Sequence, residues 1–138
     1  MANMAAKMFT SLLEENQLTY RFLDEEESTL RVGWKLKATN ISLFFKFAED
    51  GSNVHFEGHE FLMVPEGNIE QMYKICNQMN RDFRWVKFSV NEELKEVVVE
   101  GDAVIQLDSC AQECLELMIR TTRIIDEAYP RFMKEMWA

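Results

Sequence analysis

Hydrophobic and polar residues alternate with a helical period at the start of the chain and with a strand period after it. Over residues 4–16, apolar side chains recur three and four positions apart, which predicts a helix with one buried face. From residue 18 onward, apolar and polar residues alternate, and turn-forming residues separate the alternating segments. This first half is predicted to form a helix followed by a four-stranded antiparallel meander. The predicted inward strand residues are Tyr20, Phe22, Leu30, Val32, Trp34, Leu36, Ile41, Leu43, Phe45, Phe47, Val54 and Phe56.

The second half returns to helical spacing after Pro65, gives two more strands and ends in a long helix. Its predicted inward residues are Ile69, Met72, Tyr73, Cys76 and Met79, then Val86, Phe88, Val90, Val97, Val99, Ala103, Ile105 and Leu107, and finally Ala111, Cys114, Leu115, Met118, Thr122, Ile125 and Tyr129. Gly101 falls among the inward strand positions and is expected to mark a bulge. The order α-β-β-β-β-α-β-β-α places strands in runs, which predicts an α+β fold with an antiparallel sheet and helices packed on one face.

Local signals predict where the later helices begin and bend. Asn68 with Gln71, and Ser109 with Gln112, have the spacing of capping boxes, in which each side chain satisfies a free amide. Pro130 is expected to kink or divide the last helix, because proline lacks the amide hydrogen and its ring crowds the preceding turn.

The charge of the chain limits its partners. The 138 residues have the size of one domain, residues 1–138, and carry a formal charge of −9 with a pI near 4.7. Nucleic acid and anionic membrane are disfavoured as main partners, because binding to phosphates relies on clustered positive charge. A basic protein or peptide is compatible with this charge.

The three cysteines indicate a reducing compartment. Their count is odd and the N-terminus does not have the pattern of a signal peptide, so a cytoplasmic protein with free thiols is expected. No apolar stretch approaches the ~18 residues of a membrane span. Cys110 and Cys114 share one helix face, but zinc would need two further ligands. A role in the core is the preferred interpretation for these two thiols.

Three polar residues of one strand have side chains that can bind metals. His55, Glu57 and His59 share a strand face, but at about 3.3 Å per residue the two histidines lie ~13 Å apart. One ion could reach both only through a bulge at Gly58. A solvated polar face is therefore preferred to a metal site, and no cofactor, metal or catalytic residue is predicted.

Catalytic motifs are absent from the sequence. No GxSxG, GxGxxG, Walker loop or HExxH occurs, and two histidines on a surface strand offer little for acid–base chemistry. A non-enzymatic protein is therefore predicted. An enzyme that acts on a small molecule, or depends on a metal, remains the less favoured alternative.

The outer face of the predicted sheet combines aromatic and aliphatic residues with cations. The outward set is Arg31, Lys35, Lys37, Phe44, Lys46, Trp85, Lys87, Val98 and Val104. It is consistent with a plain solvated face, with a protein interface, or with stacking of single-stranded bases, against which the acidic balance argues. Phe44, Trp85, Val98 and Val104 are the candidate protein-binding residues, and Phe44 and Trp85 are the expected anchors.

Three segments resemble motifs of the YbjN family of bacterial sensory transduction regulators. They are the FLMVPE segment at 61–66, the ICNQMN segment at 75–80 and the DEAYPRF segment at 126–132. The resemblance implies a fold similar to type III secretion chaperones, usually dimeric, which bind other proteins without catalysis. It supplies no catalytic residues. Asn77 and Asn80 match asparagine positions of the family, and a structural role is expected for both.

These features predict a cytoplasmic, non-enzymatic regulator or adaptor that binds an unidentified protein, with a homodimer as the expected assembly. A secretion-type chaperone that holds an extended segment of an effector is the alternative.

Overall fold

The computed structural model describes residues 3–137 and contains three helices and six strands within that range. In chain order they are α1 (Met4–Glu15), β1 (Tyr20–Phe22), β2 (Thr29–Lys35), β3 (Asn40–Phe47), β4 (Asn53–His59), α2 (Ile69–Asp82), β5 (Lys87–Asn91), β6 (Glu96–Val104) and α3 (Cys110–Met136). The predicted α+β fold class and element order are confirmed. Within the described range, no helix is both long and apolar enough to cross a membrane.

All six strands form one antiparallel sheet in the order β1-β2-β3-β4-β6-β5. The first four strands are the predicted meander, and β6 lies between β4 and β5. Cross-strand partners share a face of the sheet, so the inward residues form continuous apolar rows. Phe45 lies opposite Leu30 on one side and Phe56 on the other, and all three are buried. The residues that alternate with these inward residues point to the opposite face of the sheet, which is left open.

The helices bury the apolar face of the sheet. Phe9 of α1 packs edge-on against Phe45 of β3, with ring centroids 4.9 Å apart. Phe132 of α3 packs against Phe88 of β5 at 5.3 Å. Both phenylalanines of the helices are fully buried, and α1 also packs against α3. The strand residues predicted to point inward therefore lie under a layer of helices.

The capping box predicted at the start of α2 is wrong. Asn68 precedes the helix, but its side chain makes no capping bond and donates instead to the main-chain oxygen of Met136 over 2.9 Å. Gln71 donates to Glu135 over 3.3 Å. Both side chains connect α2 to the end of α3, so a long-range contact has replaced the local one.

Helix α3 also differs from the prediction at its start and near its end. Ser109 makes no capping bond to the backbone, and its hydroxyl donates to Glu113 rather than pairing with Gln112. The helix continues through Pro130 without being divided. Packing of the last turns, which include the fully buried Phe132, offsets the main-chain hydrogen bond that proline cannot make.

Two residues predicted to point inward are exposed. Tyr73 is 41% exposed and its hydroxyl contacts Glu92, whereas Ile75 of the same helix is buried. Leu107 is 52% exposed, because β6 ends at Val104 and the alternation stops there.

Glycines allow close packing in the centre of the sheet. The register runs without interruption past Gly58 and Gly101, so neither glycine forms a bulge. A Cβ atom on Gly58 would lie 2.6 Å from Val99 Cγ1 and 2.7 Å from Ile41 Cδ1. A Cβ on Gly101 would lie 2.7 Å from the Phe56 ring. Large neighbouring side chains occupy the space that a side chain would need at these positions.

Candidate functional site

A row of charged side chains crosses the open face of the sheet. The register aligns Arg31 with Phe44, Phe44 with Glu57, Glu57 with Glu100, and Glu100 with Lys87. Strands β4 and β6 carry the glutamates of this row, and its cations lie at the two ends, on β2 and β5. Phosphate groups would meet negative charge at the centre of the face, which disfavours nucleic acid there.

His55 of β4 is held between carboxylates of two neighbouring strands. Its Nδ1 donates to Asp102 Oδ1 over 2.8 Å, and its Nε2 donates to Glu57 Oε2 over 2.9 Å. The same Nε2 lies 3.8 Å from Glu100 Oε2. Two carboxylate acceptors on one ring require both ring nitrogens to carry protons, so His55 is an imidazolium in this arrangement.

His59 completes the cluster from the other end of β4. Its Nε2 lies 2.8 Å from Glu57 Oε1, and its Nδ1 lies 2.8 Å from Glu96 Oε1. Glu96 is only 5% exposed, and the main-chain amide of Glu60 also donates to it. Both rings contact the intervening Glu57, whose two carboxylate oxygens join the histidines in one network.

Electrostatics favour the charged forms of two groups in this cluster. Burial alone would lower the pKa of His55, but hydrogen bonds to Asp102 and Glu57 and their negative charges raise it above its ordinary value. Burial alone would raise the pKa of Glu57, but hydrogen bonds from His59 and His55 lower it. Contact between His55 and Glu57 thus favours the charged form of each group.

The three cysteines lie away from this face, in the core. Cys76, Cys110 and Cys114 are free and buried. Burial raises the pKa of Cys76 to about 12 and also raises the pKa values of Cys110 and Cys114. Protonated thiols are poor nucleophiles and poor metal ligands, so these residues pack the interior.

The structure brings only Trp85 and Val104 together among the four predicted protein-binding residues. Phe44 lies on the open face as expected but is half-buried, with the Arg31 guanidinium 5.9 Å from its ring centroid and His59 packed edge-on at 5.3 Å. Val98 is only 5% exposed, so its assignment to an exposed surface is wrong.

Trp85 does not lie beside Lys87 on the open face. It precedes β5 with a φ of 77°, which breaks the strand parity on which the prediction relied. Its indole packs instead under Arg120 of α3, with the guanidinium 5.2 Å from the ring. Trp85 and Val104 are 59% and 77% exposed and, with Leu117, line one groove of about 520 Å³, called the Trp85 groove below.

The segments that resemble family motifs contribute contacts between elements. Asn80 accepts from the main-chain amide of Phe88 over 2.6 Å and donates to the main-chain oxygen of Phe88 over 3.0 Å. Asp126 accepts from the amide of Lys37 over 3.1 Å, and Arg131 donates to Asp82 over 2.6 Å. Asn80 therefore has the structural role expected of it, although its partner is a strand rather than a helix end.

Comparison with known proteins gives a family and two similar folds. The model of the YbjN family, described as "Putative bacterial sensory transduction regulator", matches residues 5–132. The structure is similar to that of YbjN, "a putative transcription regulator from E. coli", with a TM-score of 0.63 and 11% identity over 91% of each chain. It is also similar to a chain of the ExsC–ExsE complex, with a TM-score of 0.55 and 13% identity over 92% of this chain and 96% of that one. A comparison with curated proteins gives no match.

Proposed function

This chain belongs to the YbjN family, and we propose that it acts as a cytoplasmic, non-enzymatic regulator or adaptor that binds another protein. The family match and the fold are compatible with this role. The observation that carries the proposal is the Trp85 groove, where a large aromatic side chain and a neighbouring valine are both left in solvent. Exposed aromatic residues in such positions are typical anchors of protein interfaces.

The state of the reactive side chains supports a function without catalysis. The cysteines are buried with raised pKa values, which leaves little thiolate to act as a nucleophile. Each imidazole has both ring nitrogens in contact with carboxylates. A general base needs a free lone pair toward its substrate, which neither ring offers in this arrangement.

The charge around the groove indicates the chemistry of the partner. Glu113 and Glu116 line the groove together with Arg120, and the chain as a whole carries −9. Glu116 pairs with Arg120 over 2.9 Å, so the unbalanced charge at the rim is negative. We expect the groove to bind a protein segment that places one large apolar side chain on Trp85 and carries basic residues beside it.

A double substitution in the groove tests this proposal. Purified tagged wild type, Trp85→Ser/Val104→Ser and Leu94→Ser are used to capture proteins from the native host, and mass spectrometry identifies what is bound. Leu94 is the matched control, because it is 54% exposed and lies beside the His55 cluster rather than the groove. The partner should bind wild type and the Leu94 variant and be lost from the double variant.

Binding must then be reproduced with the purified partner by titration calorimetry. We expect the double variant to weaken affinity by tenfold or more while its thermal midpoint stays within a few degrees of wild type. Equal binding by all three proteins would exclude the groove. Loss of binding only in the Leu94 variant would show that the interface lies on the open face of the sheet instead.

The fold favours one alternative, a chaperone of the secretion type that holds an extended effector segment. The similarity to a chain of the ExsC–ExsE complex is the observation behind it. Co-expression with the product of the neighbouring gene separates the two functions. A chaperone should keep that product soluble and unfolded, whereas a regulator should bind a folded partner.

A further inference from the structure

The register of β4 and β6 brings Glu100 beside His55 and Glu57, which lie two residues apart on β4. His55 lies opposite Asp102, and Glu57 lies opposite Glu100. One donor atom from each of His55, Glu57 and Glu100 lies within 4.8 Å of the others. A tetrahedral ion with bonds of about 2.1 Å holds its ligand atoms about 3.4 Å apart. His55 Nε2 lies 2.9 Å from Glu57 Oε2 and 3.8 Å from Glu100 Oε2, distances on either side of that spacing.

We propose that His55, Glu57 and Glu100 form a binding site for one divalent transition-metal ion of the Zn²⁺ class. The ligand atoms are His55 Nε2 and one oxygen of each glutamate, and the ion takes the place of the proton that His55 Nε2 now donates. One imidazole nitrogen and two carboxylate oxygens match the ligands that Zn²⁺ prefers, with a fourth position left for water or for a group of a partner. The inference does not rest on the proposed function.

Two further pairs position the ligands. Asp102 accepts the Nδ1 proton of His55, which fixes the ring with Nε2 toward the glutamates. His59 contacts Glu57 Oε1 and is itself held by Glu96, so Glu57 Oε2 stays directed at His55. In zinc sites, a carboxylate commonly accepts a hydrogen bond from the histidine nitrogen that does not bind the metal. Asp102, His59 and Glu96 are positioning residues in this arrangement.

The surroundings of the three ligands suit a small cation. Glu57, Glu96, Glu100 and Asp102 surround two imidazoles, so the cluster has more acidic than basic groups. The ligands are partly exposed, and His55 and Glu57 line an open groove of about 560 Å³. An ion can therefore enter from solvent and meet a surplus of negative charge that it would balance.

Titration calorimetry with ZnCl₂ on EDTA-treated protein tests the site. We expect one Zn²⁺ per chain with a micromolar dissociation constant, and at least tenfold weaker binding in His55→Asn and Glu100→Gln. Asp102→Asn, which removes the acceptor for Nδ1, should also weaken binding about tenfold. Glu60→Gln is the matched control. Glu60 lines the same groove but pairs with Arg31, so its substitution should change affinity less than about threefold.

Competition between Mg²⁺ and Zn²⁺ distinguishes coordination of the ion from simple attraction to negative charge. Millimolar Mg²⁺ should not displace Zn²⁺, because Mg²⁺ prefers oxygen ligands and gains little from an imidazole. If Mg²⁺ competes equally with Zn²⁺, or if Glu60→Gln weakens binding as much as Glu100→Gln, the ion is held by net charge and the proposal is wrong.

Nuclear magnetic resonance of the imidazole ¹⁵N signals gives a readout on wild type that does not depend on whether variants fold. One equivalent of Zn²⁺ should shift His55 Nε2 strongly and leave Nδ1 protonated. No binding, or a shift confined to His59, would overturn the assignment of His55 as the ligand.

Discussion

Asn80 joins α2 to β5 through both ends of its carboxamide. Its oxygen accepts from the amide of Phe88 and its nitrogen donates to the carbonyl of the same residue, so one side chain satisfies two main-chain groups. Asn77, one turn earlier in the helix, is exposed and makes no side-chain hydrogen bond to any residue between 3 and 137. The two asparagines belong to the same sequence segment, but only Asn80 connects the helix to a strand.

Replacing Asn80 should destabilise the fold. Asn80→Ala leaves the partly buried amide and carbonyl of Phe88 without partners, which costs about 1–3 kcal/mol of unfolding free energy. Asn77→Ala should change it by less than about 0.5 kcal/mol. Urea unfolding followed by circular dichroism measures both. Equal effects of the two substitutions would show that the bonds to Phe88 contribute nothing.

His55 and Glu57 should give the stability a dependence on pH. His55 has a raised pKa, so its contribution is complete below the ordinary value of 6.5 and is lost as pH rises through the folded-state pKa. Glu57 has a lowered pKa, so its contribution is complete above 4.5 and is lost as pH falls through the folded-state pKa. The pair therefore stabilises the fold most between about pH 4.5 and 6.5.

The thermal midpoint, measured in EDTA from pH 5 to 8, should fall on the alkaline side. Both side chains are about one-third exposed, so solvent screening keeps the effect below about 1 kcal/mol. His55→Gln should remove most of this alkaline decline. Parallel curves for the variant and wild type would contradict the prediction.

Among the strands, β4 combines an inward face with almost no spare volume and an outward face with the charged cluster. Gly58 lies between Glu57 and His59, and the side chains of Ile41 and Val99 fill the space on its inner side. Gly33 of β2 has no atom within 4 Å of the position its Cβ would take. The two glycines make a matched pair for testing close packing.

Gly58→Ala should lower the unfolding free energy by about 1–3 kcal/mol, because the added methyl group overlaps the side chains of Val99 and Ile41 and forces them to move. Gly33→Ala should be neutral or slightly stabilising, since alanine has less backbone freedom to lose on folding. Denaturant unfolding of the two variants measures the difference. A neutral Gly58→Ala would show that the sheet can relax at this position.

The sequence pattern predicted the helices and strands because burial of one face imposes its period on the residues. It predicted two helix caps wrongly, since Asn68 donates to the main-chain oxygen of Met136 and Ser109 donates to Glu113, which the capping-box spacing does not reveal. It placed Trp85 wrongly because the backbone turns to a positive φ just before β5, and parity cannot be carried across such a turn.

At the scale of the whole molecule, only the β4 part of the candidate site could be recognised from the sequence. His55, Glu57 and His59 are close in sequence and were recognisable as a group. Their partners on β6 became neighbours only because β6 inserts between β4 and β5, which the element order does not specify. If the pairing of β4 with β6 could be predicted from the sequence, Glu100 and Asp102 would be recognised as neighbours of this group.

Homodimerisation is predicted for the whole molecule, from the fold and from exposed apolar residues such as Trp85, Val104 and Met63. Light scattering at micromolar concentration should give a mass near twice 16.3 kDa. A constant monomer mass across a wide concentration range would contradict it. If Trp85→Ser/Val104→Ser remains dimeric, the Trp85 groove is free to bind a partner in the dimer.

The bonds from Asn80 have a consequence for how copies of this chain can join. They occupy outward main-chain groups of β5, one end strand of the sheet, whereas β1 at the other end has a strand neighbour only on its β2 side. A sheet that can be extended at both ends can add copies without limit, which leads to fibres. Strand addition at β5 must first break the bonds from Asn80 to Phe88, so a second copy pairs more readily through β1. The asymmetry of the two edges thus permits pairing by strand addition and opposes polymerisation.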